Sequence, residues 1–103
     1  MKLVKDSDRF DQYQIAFIKE ITQAIAVKLV EAGLHGALME NTTADIAFSI
    51  ASILDDTTPI SVGNDEVHPY LTFRSGEEHL IHIGENAYTY EFLTGVLKEM
   101  FER

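Results

Sequence analysis

The residues best suited to chemistry lie in one short part of the chain, where His68, His79 and His82 flank Tyr70. Imidazole nitrogens are common zinc ligands, and two of them on one face of a strand could reach the same ion. A catalytic zinc usually takes three protein ligands, however, and no HExxH or comparable spacing occurs here. We therefore expect His68, Tyr70 and His82 to form a half-exposed binding face and His79 to be a peripheral core residue. A histidine-based metal site is the less favoured alternative.

Acidic residues outnumber basic ones by 17 to 8, so the chain carries a net charge of −9. Residues 29–73 contain no lysine or arginine at all. The acids of this base-free stretch are Glu31, Glu40, Asp45, Asp55, Asp56, Asp65 and Glu66. Such a surface favours association with a basic protein. It does not suit nucleic acids or anionic membranes, because both require a basic footprint.

Two acidic pairs, Asp55–Asp56 and Asp65–Glu66, bracket a short predicted strand. Carboxylates on loops can hold Ca²⁺ or Mg²⁺, but the EF-hand pattern is absent, and ordinary turn chemistry accounts for aspartate at such places. We expect these acids to contact a basic partner instead. The predicted binding residues are Asp55, Asp56, Asp65, Glu66, His68, Tyr70 and His82.

No arrangement typical of an active site occurs in the sequence. Cysteine is absent, which excludes thiol catalysis and thiolate metal sites. The serines occur in no G-x-S-x-G context, and the glycines are too dispersed to form a phosphate-binding loop. We therefore predict a non-enzymatic protein without a cofactor.

Two predicted helices precede the histidine region. Apolar residues with helical spacing predict a first helix over residues 8–32, with Gly33 as its left-handed C-terminal residue. Residues 34–41 have no clear period and are predicted to be a connection. A second, largely buried helix is expected to start at Thr42 or Thr43 and to end before Pro59.

After the second helix, the sequence predicts three strands and a last helix. The strands cover residues 60–62, 67–74 and 79–84, and the last helix covers 87–102 with Asn86 as its N-cap. A three-residue loop over 75–77 puts the apolar side chains of the hairpin on one face. The pairs in this register are Arg74–Glu78, Phe73–His79, Leu71–Ile81, Tyr70–His82 and Pro69–Ile83.

The predicted fold is a single α+β domain over residues 1–103, in the order α-α-β-β-β-α. Three helices pack on one face of a small three-stranded antiparallel meander, and the other face is open. Whether residues 1–7 add a strand is left open.

The predicted function is binding of a basic protein surface, as an adaptor, an inhibitor or an immunity-type protein. The alternative is a homo-oligomer that buries the first helix or the open sheet face and binds a ligand in the seam. No apolar run reaches the ~20 residues of a membrane span, and the first residues do not resemble a signal peptide, so we expect a cytoplasmic protein.

Overall fold

The computed structural model describes residues 1–102 and contains three helices and two small sheets. The elements in chain order are β1 (Lys2–Lys5), α1 (Ser7–Glu31), α2 (Gly36–Leu54), β2 (Ser61–Val62), β3 (Asp65–Glu66), β4 (Phe73–Ser75), β5 (His79–His82) and α3 (Thr89–Phe101). The α+β class is confirmed. Two strands, β1 and β3, were not predicted.

Helix α1 has strong signals at both ends, and its predicted bounds are right to within one residue. The Asp6 carboxylate accepts a hydrogen bond from the Arg9 backbone N–H, which satisfies a free donor of the first turn. At the other end Gly33 has a φ of 95°, and the N–H groups of Gly33 and Leu34 close a Schellman motif.

Helix α2 starts at Gly36, six or seven residues before the predicted start, so the interpretation of residues 36–41 as part of a connection was wrong. Gly36 has a φ of 62° and turns the chain directly from one helix into the next. Its N-cap, His35, makes no side-chain hydrogen bond, and the threonines taken as the start lie inside the helix. The next residues include the good helix formers Ala37 and Leu38, so the helix starts here although no capping residue marks its start.

The main sheet has the order β1-β5-β4, and it is mixed rather than an antiparallel meander. Strand β1 runs parallel to the central strand β5, and β4 runs antiparallel to it. Phe73 is paired with Ile81 around a three-residue loop, a shift of two residues from the predicted register. Because side chains alternate with a period of two, this shift leaves Phe73 and Ile81 on the predicted inner face.

The core consists of two clusters joined by α1. A helical cluster is formed by all three helices around Ile18, Ala51 and Leu93. The second cluster lies between α1 and the sheet, around Phe10 and Ile81. Of the helices within residues 1–102, α1 makes the main contact with the sheet, whereas α2 and α3 pack on α1 and on each other, so the prediction of three helices on the sheet was wrong.

Within residues 1–102, no helix has both the length and the apolar character that crossing a membrane would require.

Candidate functional site

Asp55 is buried at the junction of α2 and α3, with only 5% of its surface exposed. Its Oδ1 accepts hydrogen bonds from the backbone N–H and the hydroxyl of Thr89, and its Oδ2 accepts one from the backbone N–H of Tyr90. The carboxylate thus caps α3, where the helix dipole favours a negative charge. The predictions of Asp55 as a surface contact and of Asn86 as the N-cap were therefore wrong.

Asp56 lies next in the chain, and its partly buried side chain points to the exposed segment instead of to α3. It adopts a left-handed φ of 62°, and the N–H groups of Asp56 and Thr57 close a Schellman motif at the end of α2. Both of its carboxylate oxygens lie within 3.1 Å of His68 Nδ1. The helix end therefore aims the Asp56 side chain at the histidine twelve residues further along the chain.

His68 is held between two carboxylates. Its Nδ1 contacts Asp56, and its Nε2 lies 3.3 Å from Glu66 Oε2. The hydrogen bond to Asp56 is the main cause of a raised pKa at His68, and Glu66 acts in the same direction. The contact of Nδ1 with Asp56 holds the exposed segment to the end of α2, whereas the contact of Nε2 with Glu66 lies within that segment.

Residues 57–70 form that segment, which we call the arm. Its centre is the β2–β3 hairpin, in which Val62 is paired with Asp65 around Gly63 and Asn64. The φ of 60° at Gly63 and the two-residue loop fit a type II′ turn, in which glycine takes the first central position. All residues from 61 to 68 are exposed.

The arm carries carboxylates beside aliphatic side chains. Asp65 and Glu66 share the hairpin with Val62 and Val67, which are 68% and 40% exposed. A cleft of about 390 Å³ lies beside the hairpin and is lined by Asp56, Thr57, Thr58, Pro59, Ile60, Ser61, Glu66, Val67 and His68. The surface therefore combines negative charge, exposed apolar contact area and a cleft with acidic groups in its wall.

Tyr70 and His82 meet at the base of the arm, as the sequence predicts. The Tyr70 hydroxyl lies 2.6 Å from His82 Nδ1, and the Gly84 backbone N–H donates to the same nitrogen. Since a backbone N–H can only donate, Nδ1 must be the acceptor, and the proton of the neutral ring lies on Nε2. Residues 67–72 do not form the predicted strand, so the contact is made by an irregular segment instead of a strand pair.

The histidines do not converge on one metal site. His68 is engaged with Asp56 and Glu66, whereas His82 is engaged with Tyr70 and Gly84. No group of three or more metal-ligating side chains is present in the described part of the chain. His79 is exposed, so its predicted place in the periphery of the core was wrong: it has the inner-face parity but lies at the strand end, beyond the side chains that cover Ile81.

Sequence reasoning missed the basic residues of the open sheet face. The strand register places Leu3 beside Leu80 and Lys5 beside His82, and Arg74 flanks Leu80 on the other side. We call these five residues the outer sheet face. Because β1 was not predicted as a strand, the sequence did not indicate that Lys5 and Arg74 lie on the same face of the sheet.

The site therefore belongs to a small mixed-sheet α+β domain with an acidic, exposed arm. No family model, curated protein or solved structure matches this chain.

Proposed function

We propose that this chain is a non-enzymatic protein-binding domain, in which the arm recognises a basic surface of a partner protein. The observation that carries the proposal is the run of eight consecutive exposed residues, 61–68, with Asp65 and Glu66 beside exposed Val62 and Val67. Adaptors, inhibitors and immunity-type proteins use surfaces of this kind.

Two properties of the arm support binding. The carboxylates raise the rate of encounter with a basic surface, and the aliphatic side chains provide contact area once water is excluded. The ion pair of His68 with Asp56 holds the arm to the end of α2, and the pair of His68 with Glu66 orders the arm internally, so less conformational entropy is lost on binding. A lysine or arginine of the partner fits the cleft next to Asp56 and Glu66.

Affinity capture from the host lysate tests the proposal with three versions of the tagged chain: the wild type, Asp65→Lys/Glu66→Lys, and the control Glu77→Lys/Glu78→Lys. The control makes the same charge change in the exposed β4–β5 loop. We expect the wild type and the control to retain a protein with a basic surface at low salt and to lose it at high salt, whereas the arm variant does not retain it. Equal capture by all three versions would contradict the proposal.

A second candidate is self-association through the helices. Val27, Val30 and Leu38 are 53%, 54% and 65% exposed at the end of the α1–α2 hairpin. Burying such side chains against a second copy would be favourable. Light scattering tests this candidate, since Val30→Asp should reduce a dimer to the monomer mass if the helices form the interface.

A further inference from the structure

The outer sheet face has the opposite character to the arm. Its members Lys5 and Arg74 are exposed, and they border Leu3, which is 58% exposed. Arg74 donates to the backbone carbonyls of Gly76 and Glu77, and no carboxylate within residues 1–102 pairs with it. The outer sheet face therefore combines basic and aliphatic side chains, whereas the arm combines acidic and aliphatic side chains.

Charge is segregated in the molecule even though its net value is −9. Among the described residues, the lysines and arginines that pair with a carboxylate are Arg9, Lys19 and Lys28. Lys2, Lys5, Arg74 and Lys98 have no such partner within residues 1–102. Three of these four lie in the main sheet, and Lys5 and Arg74 share its outer face.

The arm and the outer sheet face are neighbours. His82 belongs to the face, and its hydrogen bond with Tyr70 places the base of the arm at the Lys5 end of the sheet. Two adjacent complementary patches on one chain can pair reciprocally about a two-fold axis, because each copy then supplies both patches.

We infer that a second copy of this chain is a partner of the arm: the Asp65–Glu66 hairpin of each copy binds the Lys5–Arg74 face of the other. This inference rests on the proposed function, since it identifies the basic surface that the arm binds as the outer sheet face of a second copy. The net charge repels the two copies at long range, but salt at about 0.1 M screens charges more than ~10 Å apart, whereas the facing pairs lie closer.

A charge-swap experiment measured by light scattering tests the inference. The wild type is expected to have twice the monomer mass at about 0.1 M salt. Asp65→Lys/Glu66→Lys and Lys5→Glu/Arg74→Glu, each examined alone, should be monomers, and their equimolar mixture should recover the dimer mass, since the swapped charges again face each other. Lys5→Gln/Arg74→Gln removes the two positive charges without reversing them, and it should weaken the dimer. Circular dichroism checks that each variant is folded.

The controls reproduce the charge changes elsewhere: Glu77→Lys/Glu78→Lys for the arm and Lys28→Glu/Lys98→Glu for the face should both remain dimers. A wild type that stays monomeric, a mixture that stays monomeric, or a dimer that only Val30→Asp disrupts would each overturn the inference. A monomeric wild type that still captures a basic protein through Asp65 and Glu66 would overturn the inference alone and leave the proposed function standing.

Discussion

Asp55 and the arm come from the same base-free stretch, but their carboxylates have opposite surroundings. Asp55 is buried and accepts three hydrogen bonds from Thr89 and Tyr90, whereas the Glu66 side chain is 80% exposed at the hairpin. A run of acids in a sequence therefore does not define one surface. Part of this run stabilises the junction of α2 with α3, and part of it is exposed on the hairpin.

Removal of the buried carboxylate is expected to have the largest effect on stability. Asp55→Ala leaves the donors of Thr89 and Tyr90 without a buried acceptor, and we expect a loss of about 3 kcal/mol in the free energy of unfolding. Urea denaturation measures this value. Asp55→Asn retains one acceptor and should lose about half as much. A loss below about 1 kcal/mol for the alanine variant would show that the cap is not a principal stabilising contact.

A second, partly buried network of hydrogen bonds joins α1 to the start of α3. Asp11 accepts hydrogen bonds from the Tyr88 hydroxyl and from Gln14, whose own carbonyl accepts from the Tyr88 backbone N–H. The hydrogen bond to Asp11, together with burial, raises the pKa of Tyr88 to about 12. Tyr88→Phe should cost about 1 kcal/mol.

The pH dependence of this network follows from the direction of the shift. The folded pKa lies above the ordinary value of 10.0, so the stabilisation is present below pH 10 and is lost as the pH rises towards about 12. The difference in unfolding free energy between the wild type and Tyr88→Phe should therefore shrink over that interval. A difference that stays constant up to pH 12 would contradict the role of the hydroxyl.

The contact of His68 with Asp56, which holds the arm to the end of α2, should have the smallest effect on stability, because the His68 side chain is 62% exposed. Its raised pKa means that its contribution is complete below the ordinary value of 6.5 and is lost as the pH rises through the folded value. NMR titration should show that Asp56→Asn lowers the pKa of His68 more than Glu66→Gln does. Asparagine tolerates the left-handed backbone at this position, so the variant is a fair test. If the pKa of His68 is unchanged in Asp56→Asn, the contact with Asp56 does not hold the arm to α2.

The parts of the fold that could be predicted depend on local signals. Helix α1 has its apolar spacing, and Gly33 marks its end, so its bounds follow from neighbouring residues. The inner and outer faces of β4 and β5 survived a register error because that error was an even number of residues. The Tyr70–His82 contact was predicted as a strand pair, but it is made by a segment outside the sheet.

The parts that could not be predicted depend on distant contacts. Asp55 caps a helix that starts 34 residues further along the chain, and nothing near either residue indicates this. Strand β1 has four residues with two lysines and becomes a strand by pairing with β5. Pro69 lacks a backbone donor, and His68 is held by ion pairs, so the predicted strand over 67–74 is reduced to β4. The contact of Tyr70 with His82 was therefore predicted, whereas the positions of Lys5 and Arg74 on the outer sheet face were not.

The central claim is that the arm binds a partner without holding the fold together. Its most direct test measures binding and unfolding on the same variant, Asp65→Lys/Glu66→Lys. We expect capture of the basic partner at low salt to be lost, while the free energy of unfolding stays within about 0.5 kcal/mol of the wild type. Undiminished capture by this variant would contradict the account, as would a loss of capture that is explained by unfolding.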